Sequence, residues 1–325
     1  MANIKRIGVL TSGGDAPGMN ATIRAVVRTA IFYDIEVYGI YKGYNGLIDN
    51  EFKKLKSKSV RDIVHRGGTF LKSSRSDRFR TPEGRQQAYE NLKKNEIDAL
   101  IVIGGDGSFM GAGIFSKEHD IPCIGLPGTI DNDMFGTDFT IGYDTALNTV
   151  VEAIDKIKDT AGSHERMFLV EVMGRDAGFI ALTAGIATGA EAIFIPEVEN
   201  QVDTLLDTLK EGKVEEKSSS IIIVAEGSKG GVNEIAKQVK DLYPHIDIRV
   251  NVLGHMQRGG SPTAFDRFLA SRMGVAAVEA LLDDQRSIMV GYVNHEIVHV
   301  PFNKTIKKQR NLDGGLMKVA KVLSI

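Results

Sequence analysis

Short runs of β-branched and aliphatic residues alternate along the chain with stretches whose apolar positions recur every three or four residues. IKRIGVL (4–10) reads as a strand and GMNATIRAVVRTAIFY (18–33) as a helix, because Ile23, Val26, Val27 and Ala30 keep the helical interval. EVYGIY, DALIVIGG, PCIGLPG, RMFLVEVM, SIIIVAEG and IRVNVLG are further predicted strands. Most are apolar on both faces, as parallel strands covered by helices should be. Amphipathic segments such as DTALNTVVEAIDKIKDTA (144–161) fill the intervals. Repeated β–α alternation predicts an α/β fold of doubly wound, mainly parallel sheets with helices on both faces. No short-period repeat or low-complexity linker interrupts it, and the polar stretch LKEGKVEEKSSS (209–220) is expected to be a surface loop. A second domain would therefore be an insertion that the chain crosses more than once.

Ligands of such folds gather at the carboxyl ends of the strands. SGGD (12–15), GGDGS (104–108), PGTIDND (127–133), EVMGR (171–175), AEG (225–227) and GHMQRGG (254–260) all follow predicted strands, and they are expected to share one edge. GGDGS stands between a strand and a helix. Its glycines leave N–H groups open to phosphate oxygens, and the helix N-terminus adds positive potential. Asp106 is an odd neighbour for a phosphate unless a divalent cation lies between them. The alternative is a tight turn with a capping aspartate.

PGTIDNDMFGTD (127–138) places Asp131, Asp133 and Asp138 within eight positions. Like charges this close raise the cost of ionisation unless a cation, a proton or a chemical task offsets it. One aspartate can accept a proton from a nucleophilic hydroxyl while a neighbour positions a metal, and phosphoryl transfer asks little more of a protein. The competing reading is an Asx-rich loop that caps the next helix; Asp138 is assigned to that role, Asp131 and Asp133 to the chemistry. RGGTFLKSSRSDRFR (66–80) is basic, and Arg166, Arg175, Arg249 and Arg258 flank later strand ends. Guanidinium groups bind phosphate oxygens in a bidentate way.

Composition narrows the partners. The chain has 325 residues, 42% hydrophobic and 25% charged, with a formal net charge of −2, which favours neither a nucleic-acid nor a membrane partner. One cysteine, Cys123, excludes a disulfide within the chain and suits a reducing cytoplasm. No apolar stretch approaches the roughly 18 residues needed to cross a bilayer, and MANIKR leads into a strand rather than a signal peptide. The signatures GxxxxGK[ST], HRDxxxxN and GxGxxG are absent. HEIVH (295–299) fits a zinc-protease pattern that requires a helix, but it lies in the β-branched run MVGYVNHEIVHVPF. On a strand, positions four apart stand about 13 Å from each other, too far for one zinc.

Taken together, TSGGDAPGMNA, GGDGS, PGTIDND, SHER, EVMGR, VAEG and LGHMQRGGSPTAFDR resemble the bacterial ATP-dependent 6-phosphofructokinases, from residue 4 to about 293, with a weaker match ending in LSI. The resemblance implies two αβα lobes, one of residues 1–142 plus 257–305 for ATP and one of 143–256 plus 306–325 for fructose 6-phosphate. It implies transfer of the γ-phosphoryl of Mg-ATP to the sugar 1-hydroxyl, with Asp131 as base and Thr129 and Asp133 beside it. Asp106 would engage Mg2+. Gly14, Tyr44, Arg75, Ser76, Gly105, Gly107 and Ser108 would line the ATP site. Arg75 and Arg175 would stabilise the transferring group. The sugar phosphate would be held by Ile130, Met173, Gly174, Arg175, Glu226, His255, Met256, Gln257 and Arg258. Arg166 and Arg249 would reach in from a neighbouring subunit of a homotetramer.

Two glycines bear on the donor. Pyrophosphate-dependent relatives carry Asp at the position of Gly107 and Lys at that of Gly128, so ATP is expected here and pyrophosphate is the alternative. Other GGDG kinases, acting on NAD or lipids, lack TIDND followed by MGR. A catalytically silent nucleotide sensor is disfavoured by the presence of Asp106, Asp131 and Arg75. A second, effector site for ADP or phosphoenolpyruvate matches at Arg24, Arg28, Asp62, Gly189, Glu191 and Lys217. Arg24 and Arg28 are four apart and share a helix face. Ser57, Glu215 and Ser219 stand where basic residues are usual, and Lys158 replaces arginine. Fewer bidentate donors and an added carboxylate predict blunted control.

Overall fold

The computed structural model describes residues 4–161, 166–198, 220–308 and 310–323. The chain forms two compact units, one of residues 1–130, 134–145 and 258–310, the other of 131–133, 146–257 and 311–325.

The first unit is built on a seven-stranded sheet in the order β11-β10-β5-β4-β1-β2-β3, with β1 (Arg6–Thr11), β2 (Glu36–Ile40), β3 (Phe52–Leu55), β4 (Ala99–Gly104), β5 (Cys123–Pro127), β10 (Ile288–Val293) and β11 (Glu296–Pro301). The five central strands are parallel, while β3 and β11 run antiparallel at the two edges. All of ALIVIG in β4 is buried. Leu100 and Val102 enter the core with Phe109, Phe115 and Leu92, and the residues between them point to the other face. That explains the unbroken apolar run: a strand covered on both faces has no solvent side.

Helices α2 (Gly43–Ile48), α3 (Pro82–Lys94) and α4 (Asp106–His119) pack on the Leu100 side. Thr81 caps α3, its hydroxyl accepting the Gly84 N–H at 3.1 Å with Pro82 in the first turn. Helix α1 (Met19–Phe32) packs along the long helix 264–282, where a Cβ at Gly274 would lie 2.6 Å from that of Ala25. HEIVH falls on a hairpin, with His295 in the turn after β10 and His299 on β11. The strand reading of that segment holds.

The second unit carries a wholly parallel four-stranded sheet in the order β7-β8-β6-β9, with β6 (Met167–Val172), β7 (Ala192–Phe194), β8 (Ser220–Ala225) and β9 (Ile248–Val252). Helix 231–242 packs beside it through Val232, Ile235 and Val239. The six glycine-bearing loops are divided between the two sheets. SGGD, GGDGS and PGTIDND end β1, β4 and β5, whereas EVMGR, AEG and GHMQR end β6, β8 and β9. A one-dimensional pattern of strands cannot say which of them hydrogen-bond into one sheet. Apart from Ser220, the predicted loop 209–220 lies outside the described residues.

The segment that leaves β5 is tied back at its far end. Gly128 bridges Ile141, and the Thr140 hydroxyl donates to the Thr129 carbonyl at 2.7 Å. Asp266, wholly buried in the first turn of helix 264–282, accepts from the Gly142 N–H at 2.9 Å, the Thr145 N–H at 2.8 Å and the Thr145 hydroxyl at 2.5 Å. Loss of hydration pushes its carboxyl up from 3.8 to about 6; the three donors oppose that shift and nearby Asp144 adds to it. A carboxyl that binds its proton more tightly folded than unfolded favours folding at low pH. That contribution is lost as pH rises from the ordinary aspartate range through about 6. Chemical denaturation between pH 3.5 and 7 should show this slope in the wild type and not in Asp266→Asn. Asp266→Ala should cost on the order of 3 kcal/mol at neutral pH, since three donors lose a buried acceptor.

Candidate active site

In the first unit the parallel order reverses at β1: β2 lies on one side of it and β4 on the other. This switch point opens a crevice at the carboxyl ends of β1 and β4, with SGGD and GGDGS as its two rims. The rims approach closely. Ser12 N–H donates to the Ile103 carbonyl at 2.9 Å, and a Cβ at Gly104 would stand 2.5 Å from the Ser12 carbonyl oxygen. Only glycine fits there.

Gly105 precedes helix α4, which begins at Asp106; the Asp106 carboxylate accepts the Gly107 N–H at 2.7 Å. A Cβ at Gly107 would meet nothing within 4 Å, so the first turn of α4 faces open space. Gly128 is the opposite case: its Cβ would lie 2.9 Å from Ile103 and 3.1 Å from Met19, against packed hydrocarbon. Ser108 is buried, and its carbonyl accepts the Tyr44 hydroxyl at 2.5 Å. Tyr44 stacks on Phe79 at 3.9 Å, and burial holds its phenol well above the usual range, so it stays a donor. The Ser76 hydroxyl donates to Asn45 at 2.5 Å and the Asn45 amide to the Arg75 carbonyl at 3.3 Å, placing the exposed Arg75 on the loop that faces α2.

Gly14 is exposed beside a cavity of about 270 Å³. Arg258, expected among the sugar-phosphate residues, sits against this loop: its Nη1 donates to the Asp15 carbonyl at 3.0 Å, and a Cβ at Gly14 would lie 2.6 Å from it.

The acidic stretch opens with Thr129 and Ile130, both buried. Asp131 is 8% exposed, Asn132 beside it has a left-handed φ of 54°, and Asp133 is half-buried. An unfavourable backbone next to a buried carboxylate marks a segment held by its surroundings. Asp138 does other work: its carboxylate accepts the Asn294 N–H at 2.9 Å and its own N–H donates to the Tyr292 carbonyl at 2.7 Å.

In the second unit the loop after β6 is fixed by two side chains. Glu226 accepts from the Gly174 N–H at 3.2 Å and the Arg175 N–H at 2.7 Å, while the buried Gln257 accepts from the Met173 N–H at 3.1 Å. Arg175 adopts φ 55° with its guanidinium exposed. His255 and Met256 are exposed on the short helix 254–258. Arg166 and Arg249 converge on one carboxylate, Asp247, at 2.8 and 3.2 Å, and the Arg166 bond chiefly holds that carboxyl below its ordinary value.

Among the residues expected at an effector site, Lys158 donates to the Thr188 carbonyl, Gly189 has φ 60°, and Glu191 accepts the Ile221 N–H at 2.6 Å. Arg24 is half-buried and Arg28 exposed, one turn apart on α1; burial, and then the neighbouring Arg28, lower the Arg24 pKa. Lys217, Ser219 and Glu215 lie outside the described residues.

Glycine loops at the carboxyl ends of parallel strands, one opening a long helix, define an α/β protein that binds phosphorylated ligands. The family model Phosphofructokinase matches residues 6–281, and the chain belongs to that family. It is 59% identical to ATP-dependent 6-phosphofructokinase 2 of Bacteroides thetaiotaomicron, over all of both chains. It is 56% identical to the ATP-dependent 6-phosphofructokinase of Bacillus pumilus, over 99% of this chain and all of that one. Among solved structures, a phosphofructokinase of Pichia pastoris in the T-state aligns with a TM-score of 0.88 and 40% identity, over 99% of this chain and 37% of the yeast chain. A pyrophosphate-dependent phosphofructokinase from Marinobacter aquaeolei aligns with a TM-score of 0.85 at 23% identity, over 98% of this chain and 91% of that one, which bears on the fold alone.

The open space at Gly107 carries a testable consequence. Gly107→Ala should keep or slightly raise the melting temperature, by the helix preference of alanine, about 1 kcal/mol at most, yet weaken nucleotide binding measured by calorimetry. Gly128→Ala should instead lower the melting temperature by crowding Ile103 and Met19.

Proposed function

We propose that the protein transfers the γ-phosphoryl group of ATP to the 1-hydroxyl of fructose 6-phosphate, giving fructose 1,6-bisphosphate. The observation that carries this reading is the 59% identity, over the full length, to a protein named an ATP-dependent 6-phosphofructokinase. Glycine at both 107 and 128 supports ATP over pyrophosphate as donor: the room at Gly107 suits a nucleotide tail, and Gly128 has none for a lysine without moving the core.

In this reading Asp131 takes the proton of the attacking hydroxyl, and Thr129 and Asp133 shape the segment that carries it. A base on a strand-end loop whose neighbours are buried keeps its position at little entropic cost when substrate arrives. Gly14, Gly105, Gly107 and Ser108 line the path of the phosphate chain, with Tyr44 and Ser76 behind them. Arg75 and Arg175 neutralise charge on the group in flight. Glu226 and Gln257 hold the main chain of 173–175, so that Met173, Gly174 and Arg175 are presented to the sugar phosphate with His255 and Met256 from the same unit.

Asp106 would hold magnesium. Its half-buried carboxylate at the start of α4 fits a cation that takes one or two protein oxygens and draws the rest from phosphates and water. Bound there, magnesium supplies charge neutralisation to the phosphate chain. No helix is long and apolar enough to cross a membrane among the described residues. A cytoplasmic homotetramer completes the reading, with Arg166 and Arg249 serving a neighbouring subunit's sugar site. Effector control by ADP or phosphoenolpyruvate through Arg24, Arg28, Lys158, Gly189, Glu191 and Lys217 is expected to be weak, given Ser219 and Glu215.

A coupled assay with fructose 6-phosphate, comparing ATP with pyrophosphate in the presence and absence of magnesium, tests the reaction. Turnover with pyrophosphate but not ATP would reverse the donor assignment. Asp131→Ser should lower kcat by about 10²–10⁴-fold with KM nearly unchanged, as loss of a general base predicts. Equal losses in affinity and turnover would make Asp131 a structural residue instead.

A further inference from the structure

The cavity beside Gly14 has a cation that the reading above does not use. Gly13, Gly14, Asp15, Thr69, Lys72 and Ser73 line its volume of about 270 Å³. We infer that Lys72 is a donor-binding residue, its ammonium binding a phosphate oxygen of the nucleotide seated on the SGGD loop. This rests on the assignment of Gly14 to the nucleotide site.

Three observations point the same way. Lys72 adopts φ 58°, in the left-handed region where a side chain is disfavoured and glycine or asparagine is the usual occupant. The surroundings impose that conformation: Lys72 N–H donates to the Thr69 carbonyl at 3.1 Å, and its own carbonyl accepts the Thr11 hydroxyl at 3.0 Å. Leu71 before it is wholly buried and accepts the Lys42 N–H at 2.9 Å, while the Ser73 hydroxyl after it donates to the Gly13 carbonyl at 2.7 Å. The turn is thus locked to the end of β1 and to the glycine loop itself, and it carries an exposed lysine to the cavity wall.

The second observation is charge. Among the described residues Lys72 forms no ion pair, although Asp15 lines the same cavity, so its charge is not consumed by the fold. The third is the lining itself, glycine backbone with two hydroxyl residues and Asp15, in which Lys72 supplies the cation for an anionic ligand. A flexible ammonium at the rim of a backbone cradle is the arrangement that captures a phosphate chain.

The test separates this role from folding and from the overall reaction. With fructose 6-phosphate saturating, Lys72→Met should raise the KM for ATP about tenfold, the scale of one charged hydrogen bond, and Lys72→Arg should restore most of it. The KM for fructose 6-phosphate should stay within about twofold. Lys72→Gly should raise the melting temperature, because glycine relieves the positive φ, while losing ATP affinity as Lys72→Met does. A purely structural lysine would leave the ATP KM of both variants at the wild-type value, and that result overturns the inference. Calorimetry with ADP keeps the test independent of turnover: a tenfold loss of affinity in Lys72→Met supports the role, and equal affinities, or no ADP binding by the wild type, reject it. Wild type that binds ADP without phosphorylating fructose 6-phosphate would remove the proposed reaction and leave Lys72 to be judged on those isotherms.

Discussion

A single wholly buried carboxylate anchors the stretch on which the proposed chemistry depends. The chain leaves β5 at Pro127, runs through the acidic loop and returns at Thr145, where Asp266 gathers two N–H groups and a hydroxyl. That anchor acts with the bonds of Asp138 to Tyr292 and Asn294 and with the Gly128–Ile141 bridge. Thr140 adds a further tie, to the Thr129 carbonyl, so both ends of the acidic segment are set by hydrogen bonds made inside the fold. The arrangement is costly, because burial raises the proton affinity of Asp266. The three donors are what make an ionised or nearly ionised carboxyl tolerable there.

The same logic recurs in the second unit. Glu226 and Gln257 supply no hydrophobic contact worth naming, yet each accepts from main-chain N–H groups of the loop after β6. Both units thus hold a glycine-containing segment after a strand with an acceptor side chain from a part of the chain distant in sequence. Two non-glycine residues in left-handed conformations, Asn132 and Arg175, fall within these loops. Asn132 is itself buried, and the Arg175 N–H is held by Glu226, so the surroundings sustain the local strain. Lys72, at a third such position, extends the pattern to the cavity beside Gly14.

Much of this was legible in the residues. Strands β1, β2, β4, β5, β6 and β8 and helices α1 and 143–161 agree with the apolar periodicities, because each buries a continuous face or stripe; β9 also falls where expected, although none of its residues is buried. The edge strand FKKL was not foreseen, since one strand of four residues with two exposed lysines has almost no apolar pattern. The antiparallel sense of β3 and β11 was hidden for a different reason: strand direction is a relation between segments. Glycine doublets located the turns, and the rejection of HEIVH as a metal site followed from local propensity alone. Lys72 drew no attention because one lysine in a basic stretch looks like a solvated residue. Only its φ and its place on a cavity wall single it out.

Sequence alone determined the α/β class, the strand-end location of the reactive residue types, and the family, since each is written in local periodicity or in ordered motifs. Tertiary structure decided which loops belong to which sheet, assigning β1, β4 and β5 to one and β6, β8 and β9 to the other. It also decided that Asp266 and Asp138 secure the backbone and that Arg258 lies against Gly14. The physical reason is range. Periodicity reports the burial of one element, whereas a hydrogen bond between residues more than a hundred positions apart exists only after the sheet has brought them together.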